Sequence, residues 1–332
     1  MIFQLRKKFS ANTIRLLVML ISIIIIASIL KPEGFFHLNN FQSMLKQLPE
    51  YGVLSIAMTL AMIIGGIDLS LIANANLTAI LAAKILKLQY FPNDPLNIIA
   101  ACLVALIMGM LIGALNGVFI SYIKLPPLLA TLGMQQLLRG VGIVITQGRA
   151  VSSLPYAFSK FGNRNLFGVV PYVFILYMIV ILIIGFVLAK TKFGMRLYMM
   201  GTNPIAAEFS GIRSKRITIS TFAICGLLAA VAGLIFTVRF NSAKPDNGVS
   251  YTMLCILVAV LGGVNPKGGF GTISGVVIAV FILQALSSGL NMFENLSSFY
   301  RDLLWGGALI LLMIVNFMID MQKEKRLMSL IK

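Results

Sequence analysis

GVVPYVFILYMIVILIIGFVLA, residues 168–189, runs straight into KTKFGMRLYMMGTNPIAAEFSGIRSKR, residues 190–216. The first stretch holds no charged residue and is long enough to cross a hydrocarbon layer, which takes about 20 apolar residues as a helix. The second holds Lys190, Lys192, Arg196, Arg213, Lys215 and Arg216 against one acid, Glu208, and is too polar to enter that layer. Lys and Arg collect in the cytoplasmic loops of membrane proteins, so this boundary gives both a membrane class and an orientation. Another apolar run, 216–240, follows.

The same alternation covers the chain. Further apolar runs lie at 13–31, 51–66, 69–88, 96–123, 126–146, 250–263, 270–290 and 298–319, which makes about ten spans. The expected fold is all-α: a polytopic membrane helix bundle in a single transmembrane domain, 1–332. The runs 51–66 and 250–263 are short and end in Gly65-Gly66 and Gly262-Gly263, and 126–146 carries Arg139. Short, glycine-interrupted segments persist at membrane depth only where they are buried in protein or line a cavity, so they point to a transport path. Gly113-x3-Gly117-x2-Ile120 recurs as Gly271-x3-Gly275-x2-Ile278, five segments later. That spacing fits an inverted repeat, and it equally fits glycines that let helices approach.

Composition agrees. Hydrophobic residues make up 59% of the 332 and charged residues 11%, with a mean hydropathy of +0.95. Soluble domains run nearer about 45–50% and about 25%, which excludes a soluble globule or a disordered tail. The net charge of +17 does not imply a nucleic-acid partner, because the basic residues sit in short clusters between apolar runs. With both ends cytoplasmic, the cytoplasmic pieces hold about sixteen of the 27 basic residues, beside the membrane lipid. Arg6, Lys7, Lys8 and Arg15 precede or open the first run, which ends at Lys31 without a small-x-small cleavage site and so reads as an uncleaved helix.

Catalytic and metal chemistry find no residues. His37 is the single histidine, and Cys102, Cys225 and Cys255 lie far apart in apolar runs as buried thiols. There is no G-x-x-x-x-G-K-[ST] phosphate loop; the glycine-rich 262–271 lacks the Lys-Ser/Thr ending and reads as a tight turn. Of ten acids, only Asp68 and, at the margins, Glu208 and Asp302 lie near apolar runs. No cofactor and no enzyme activity are expected of this chain.

Polar residues in spans are candidates for function. Asp68 and Ser70 follow Gly65-Gly66 and suit the cap of the next helix; Asn74, Asn76, Asn116, Thr131, Gln135 and Gln136 follow. Gln135 and Arg139, four apart, share a helix face. Amides, hydroxyls and apolar faces suit a neutral polyol, and inter-helix hydrogen bonds use the same groups. Within 190–216, Gly201-Thr202-Asn203-Pro204 makes a turn and helix start, Ile205 to Ser210 a short helix, and Gly211 its close. Such a capped helix on a basic face suits a docking knob, and the same stretch fits an ordinary basic loop lying on anionic lipid.

These motifs, in this order, resemble the membrane permease subunits of bacterial ABC sugar importers of the ribose, xylose, galactose and autoinducer-2 type. The matching residues are Gly65-Gly66-Ile67-Asp68-Leu69-Ser70, Asn116-Gly117, Pro127, Thr131-Leu132-Gly133 and Arg139-Gly140. They continue with Thr191-Lys192-Phe193-Gly194, Gly201-Thr202-Asn203, Ala206-Ala207, Ser210-Gly211-Ile212 and Gly262-Gly263, then with Gly268-Gly269-Phe270-Gly271-Thr272 and Gly289-Leu290-Asn291. The resemblance implies a bacterial inner-membrane permease, paired with a second permease copy or a related one. A periplasmic sugar-binding protein would deliver a monosaccharide or polyol. Cytoplasmic ATPase subunits, holding ATP and Mg, would grip the knob through Gly201, Asn203, Ala207, Glu208 and Gly211. Asp68, Ser70, Asn74, Asn116, Thr131, Gln135 and Arg139 would belong to the path or its scaffold. Two departures stand out: Leu71-Ile72-Ala73-Asn74 where the family has Val-Gly-Ser, and 251–257 without the family's two carboxylates. The competing class is a self-contained secondary carrier or channel for a small neutral solute.

Overall fold

A computed structural model describes residues 2–89 and 93–293, together with Leu303, Trp305, Gly306, Gly307, Ile310 and Ile314. Its long helices are α1 (Ile2–Leu30), α3 (Leu38–Ile63), α4 (Leu71–Leu88), α5 (Asp94–Ser121), α6 (Pro127–Thr146), α8 (Tyr172–Lys190), α11 (Ser214–Phe240) and α13 (Ile273–Leu290). Shorter helices are α2 (Pro32–Phe35), α7 (Tyr156–Asn163), α9 (Lys192–Thr202), α10 (Pro204–Phe209) and α12 (Tyr251–Leu261). Seven of the described helices are long and apolar enough to cross a membrane: α4, α5, α6, α8, α11, α13 and, from Asn12, α1. The fifth expected span qualifies as α6 despite Arg139. The tenth, 298–319, lies outside the described residues except at the helical positions named above, as do Asp302 and the tail lysines and arginine at 323–332.

The expected short segment 51–66 is a correction. It is the second half of the 26-residue α3, which starts at Leu38 because the His37 ring accepts a hydrogen bond from the Asn39 N–H at 3.3 Å. The polar residues of 38–50 hide this extension from a hydropathy reading, yet nearly every residue from Leu48 to Ile63 is buried. A helix buried on all sides belongs at the centre of a bundle. The bundle also carries two strand pairs of two residues each, β1 (Val151–Ser152) with β4 (Ser242–Ala243) and β2 (Asn165–Leu166) with β3 (Val170–Pro171). They tie down loops at helix ends, where backbone groups need partners.

Helix α11 packs on α5, α4 and α3. Its approach to α5 is backbone to backbone. A Cβ on Gly113 would collide with the Phe222 carbonyl, one on Gly226 with the Gly109 carbonyl, and one on Gly117 would come within 2.6 Å of the Ile219 Cα. Small residues at a helix crossing supply the contact that hydrophobicity cannot supply in lipid. Gly271 precedes α13, whereas Gly275 sits at its start against the Gly262 carbonyl. The glycine echo therefore occupies non-equivalent places, mid-helix in one copy and at a helix start in the other.

One end of the bundle gathers Asn12, the end of α3, residues 64–70, the start of α6, α9–α10 and the turn 262–272. The other gathers the start of α3, the 147–171 loop and the end of α13, where Gln42 donates to the Gly168 carbonyl at 2.8 Å and Ser288 to Asn40 at 2.7 Å.

Candidate coupling knob and polar path

The short helix forms where the capping residues place it. Asn203 Oδ1 accepts from the Ala206 N–H at 3.0 Å, and Pro204 occupies the first turn, where its missing N–H costs nothing. Gly211 closes α10 with φ +79°, a conformation that favours glycine, and Ile212 N–H returns to the Ala207 carbonyl at 3.1 Å. Ala207 is buried among Met200, Ile212 and Ile217, so it anchors the knob rather than meeting a partner. The outward residues are Ile205, Glu208 and Phe209, and Phe209 is 90% exposed. Lys190, Lys192, Arg196, Arg213, Lys215 and Arg216 flank the knob in sequence, all exposed, with Lys215 Nζ over the Tyr122 ring. An exposed apolar tip fits a socket in another protein better than bulk water.

The knob is fastened to the bundle through glycines. Gly201 is buried against the Ile63 carbonyl and the Gly269 nitrogen, and Gly268 lies against the Gly201 carbonyl and Gly65. Gly269 N–H donates to the Ile63 carbonyl at 2.8 Å, and Tyr198 Oη donates to the Gly271 carbonyl at 2.7 Å. Displacement of the knob is thereby felt at the end of α3, at residues 65–70 and in the 262–272 turn.

The expected path residues divide. Asp68 is buried; its Oδ1 accepts from the Ser70 N–H at 3.0 Å and the Ser70 hydroxyl at 2.6 Å. Ser70 Oγ in turn accepts from Asn116 Nδ2 at 2.8 Å. Burial pushes the Asp68 carboxyl up to about 6, against the lowering pull of those two bonds. Ser70 occupies the cap position of α4 but makes no side-chain cap bond, so this pair knits α4 to α5 instead. Asn74 Nδ2 donates to the Gly109 carbonyl at 3.1 Å, and Thr131 Oγ1 to the Ile67 carbonyl at 2.9 Å. Asn76 donates to the carbonyls of Pro245 at 3.0 Å and Asn247 at 2.9 Å, pinning the strap between β4 and α12. All six hold helices and loops together. Gln135, by contrast, is half-buried, and Gln136 and Arg139 are exposed on α6.

Sequence reasoning passed over Glu50, a correction to the short inventory of acids near apolar runs. Glu50 has 0% exposure on α3 and pairs with Arg239 of α11, while Tyr251 Oη donates to its other oxygen at 3.0 Å. Tyr51 Oη donates to Gln284 Oε1 at 2.9 Å beside them. The available signal was a carboxylate and an arginine, each inside or bordering an apolar run. Two of the three thiols are buried as expected, Cys225 and Cys255, and Cys225 Sγ donates to the Ala57 carbonyl at 3.2 Å; Cys102 is a correction, being half-buried.

The family described as "Branched-chain amino acid transport system / permease component" matches residues 40–317. The ribose import permease protein RbsC of Escherichia coli K12 is 35% identical over 304 residues, 90% of this chain and 92% of that protein. The RbsC of Bacillus subtilis 168 is 37% identical over 296 residues, 89% of each chain. The autoinducer 2 import system permease protein LsrC of Photorhabdus luminescens is 31% identical over 264 residues, 80% of this chain and 77% of that one. No solved structure matches at comparable significance.

Proposed function

The chain belongs to the family of transport-system permease components, and from that premise we propose that it is the membrane subunit of an ATP-driven importer for a monosaccharide or related polyol. It is a multi-pass transport subunit rather than an enzyme. The observation that carries the reading is the knob: a rigid, capped helix with an apolar tip, locked by glycines to three segments of the bundle. A chain without a phosphate loop needs nucleotide energy delivered from outside, and the knob is built to receive it.

In this reading the knob end is cytoplasmic, as its six exposed basic residues favour. Asn12 of α1 lies against Gly263 at that end, which puts the amino end there too. Ten crossings, the tenth within 298–319, return the carboxyl end to the same side. Glu208, Ile205 and Phe209 meet the ATPase subunits, which bind ATP and Mg; Asn203 and Gly211 shape the knob, Ala207 seats it and Gly201 transmits its motion. Asp68, Ser70, Asn74, Asn116 and Thr131 brace the helices, and Gln135 and Arg139 face a path shared with a second permease. A periplasmic binding protein supplies the sugar at the other end.

The experiment is purification of the chain from native membranes with identification of what comes with it. Co-purification of a phosphate-loop ATPase, lost on Phe209→Asp, supports the assignment. A chain that purifies alone and moves solute in liposomes without ATP refutes it in favour of a secondary carrier.

A further inference from the structure

Helix α6 leaves a polar flank without a partner. Gln136 stands nine residues from Pro127 and ten from Thr146, so it sits about 14–15 Å from either end of the helix, at mid-span. It is exposed, as is Arg139, and among the described residues neither makes a hydrogen bond or an ion pair. At about 100° per residue, Thr131, Gln135, Arg139 and Gln136 fall within about 140° of arc, with Leu132 and Ile143 between them. Leu129, 60% exposed, lies about 20° from Gln136 on the helix, and the surface further round carries Gly133, Leu137, Gly140, Val141 and Val144, of which Val144 is 78% exposed. Polar side chains at membrane depth face a bundle interior or water, because lipid leaves their hydrogen bonds unmade. Leu137 and Val144 suit lipid, whereas Gln136 and Arg139 require water or another protein surface beside them.

Among the described residues no carboxylate is paired with that arginine: Glu50 is held by Arg239, Asp246 by Lys244 and Asp68 by Ser70, while Asp94 opens α5 and Glu208 lies on the knob. We propose that Arg139 is a cation filter: a fixed positive charge on the wall of a water-filled path, beside Gln136, that repels sodium and cationic solutes and admits neutral or anionic sugars. The purpose rests on the importer reading given above; the location and the charge do not. Single unpaired cations or cation-repelling dipoles exclude cations in this way in other pores.

The test is thiol chemistry in native membrane vesicles, with Cys102→Ala as background because Cys225 and Cys255 have no exposure. Gln136→Cys, Leu137→Cys and Val144→Cys are treated with an anionic sulfonatoethyl and a cationic trimethylammonium methanethiosulfonate of similar size. Gln136→Cys is expected to react with both, faster with the anion relative to a free thiol, and the two controls with neither. Adding Arg139→Gln should cut the anion-to-cation rate ratio about five- to tenfold, the effect of one unit charge a helical turn away in a watery path, and Arg139→Lys should keep it. An unreactive Gln136→Cys, or a ratio that ignores Arg139→Gln, overturns the proposal. Sugar uptake is measured separately, so a failed importer reading leaves these rates standing, and a failed filter leaves uptake standing.

Discussion

Gly201→Ala is the substitution on which the coupling argument can be pressed hardest. A Cβ at this position would collide with the Ile63 carbonyl oxygen and lie 2.5 Å from the Gly269 nitrogen. Both obstacles are backbone, so no side chain can swing aside. The Cβ would press on both ends of the 2.8 Å bond from Gly269 N–H to the Ile63 carbonyl, so relief requires that bond to open or α9 to withdraw from both the end of α3 and the 262–272 turn. Overpacking costs about 1–3 kcal/mol and the lost hydrogen bond about 1 kcal/mol, together about 2–4 kcal/mol. Gly133→Ala is the control: nothing lies within 4 Å of its added Cβ, and alanine is favoured over glycine in a helix by about 0.5–1 kcal/mol. The assay is thermal unfolding in detergent, followed by ATP hydrolysis and uptake in the reconstituted complex. Gly201→Ala should melt well below wild type and hydrolyse ATP with reduced uptake, while Gly133→Ala melts at or above wild type. Equal melting of both variants and full uptake by Gly201→Ala would refute the claim that the knob is wedged on backbone.

Arg239→Ala strands the fully buried Glu50 and should cost about 3–5 kcal/mol, whereas Glu50→Gln leaves Arg239, 27% exposed, a route to water and should cost less; a double-mutant cycle in thermal melts checks the asymmetry, and equal losses contradict it. The raised Asp68 carboxyl keeps its proton in the fold up to about 6 but loses it near its ordinary 3.8 when unfolded, so the fold loses stability as pH rises through that window. Asp68→Asn has no such loss, and its stability relative to wild type should grow by about 2.4 kcal/mol between pH 4 and pH 7, read from melts across pH; a pH-independent difference contradicts it. Asn203→Ala removes the α10 cap and should weaken ATPase association with little change in bundle melting, the cap being worth about 1 kcal/mol.

The knob was legible in sequence because its chemistry is local: Asn203, Pro204 and Gly211 set the start and stop of one short helix within a few residues. The long spans were legible because hydropathy is a local sum. What escaped was made of distant partners. Glu50 and Arg239 are 189 positions apart, and neither is odd without the other. The polar first half of α3 lies outside every apolar run, and its helix rests on the His37 cap and on distant bonds, Gln42 to the Gly168 carbonyl and Ser288 to Asn40. Asn74, Asn116 and Thr131 had the residue types of a sugar site, but their donors are spent on Gly109, Ser70 and Ile67. Composition names candidate groups; only packing shows which of them remain free, and on α6 those are Gln136 and Arg139.

The central claim is that this chain moves a sugar only when nucleotide energy reaches its knob. The most direct measurement is uptake of radiolabelled ribose by liposomes holding the purified chain with its co-purifying ATPase and binding protein, with and without ATP, and with Phe209→Asp. The account predicts uptake that requires ATP and both partners and falls to background in Phe209→Asp. Uptake by the chain alone, unaffected by ATP or by Phe209→Asp, would contradict it.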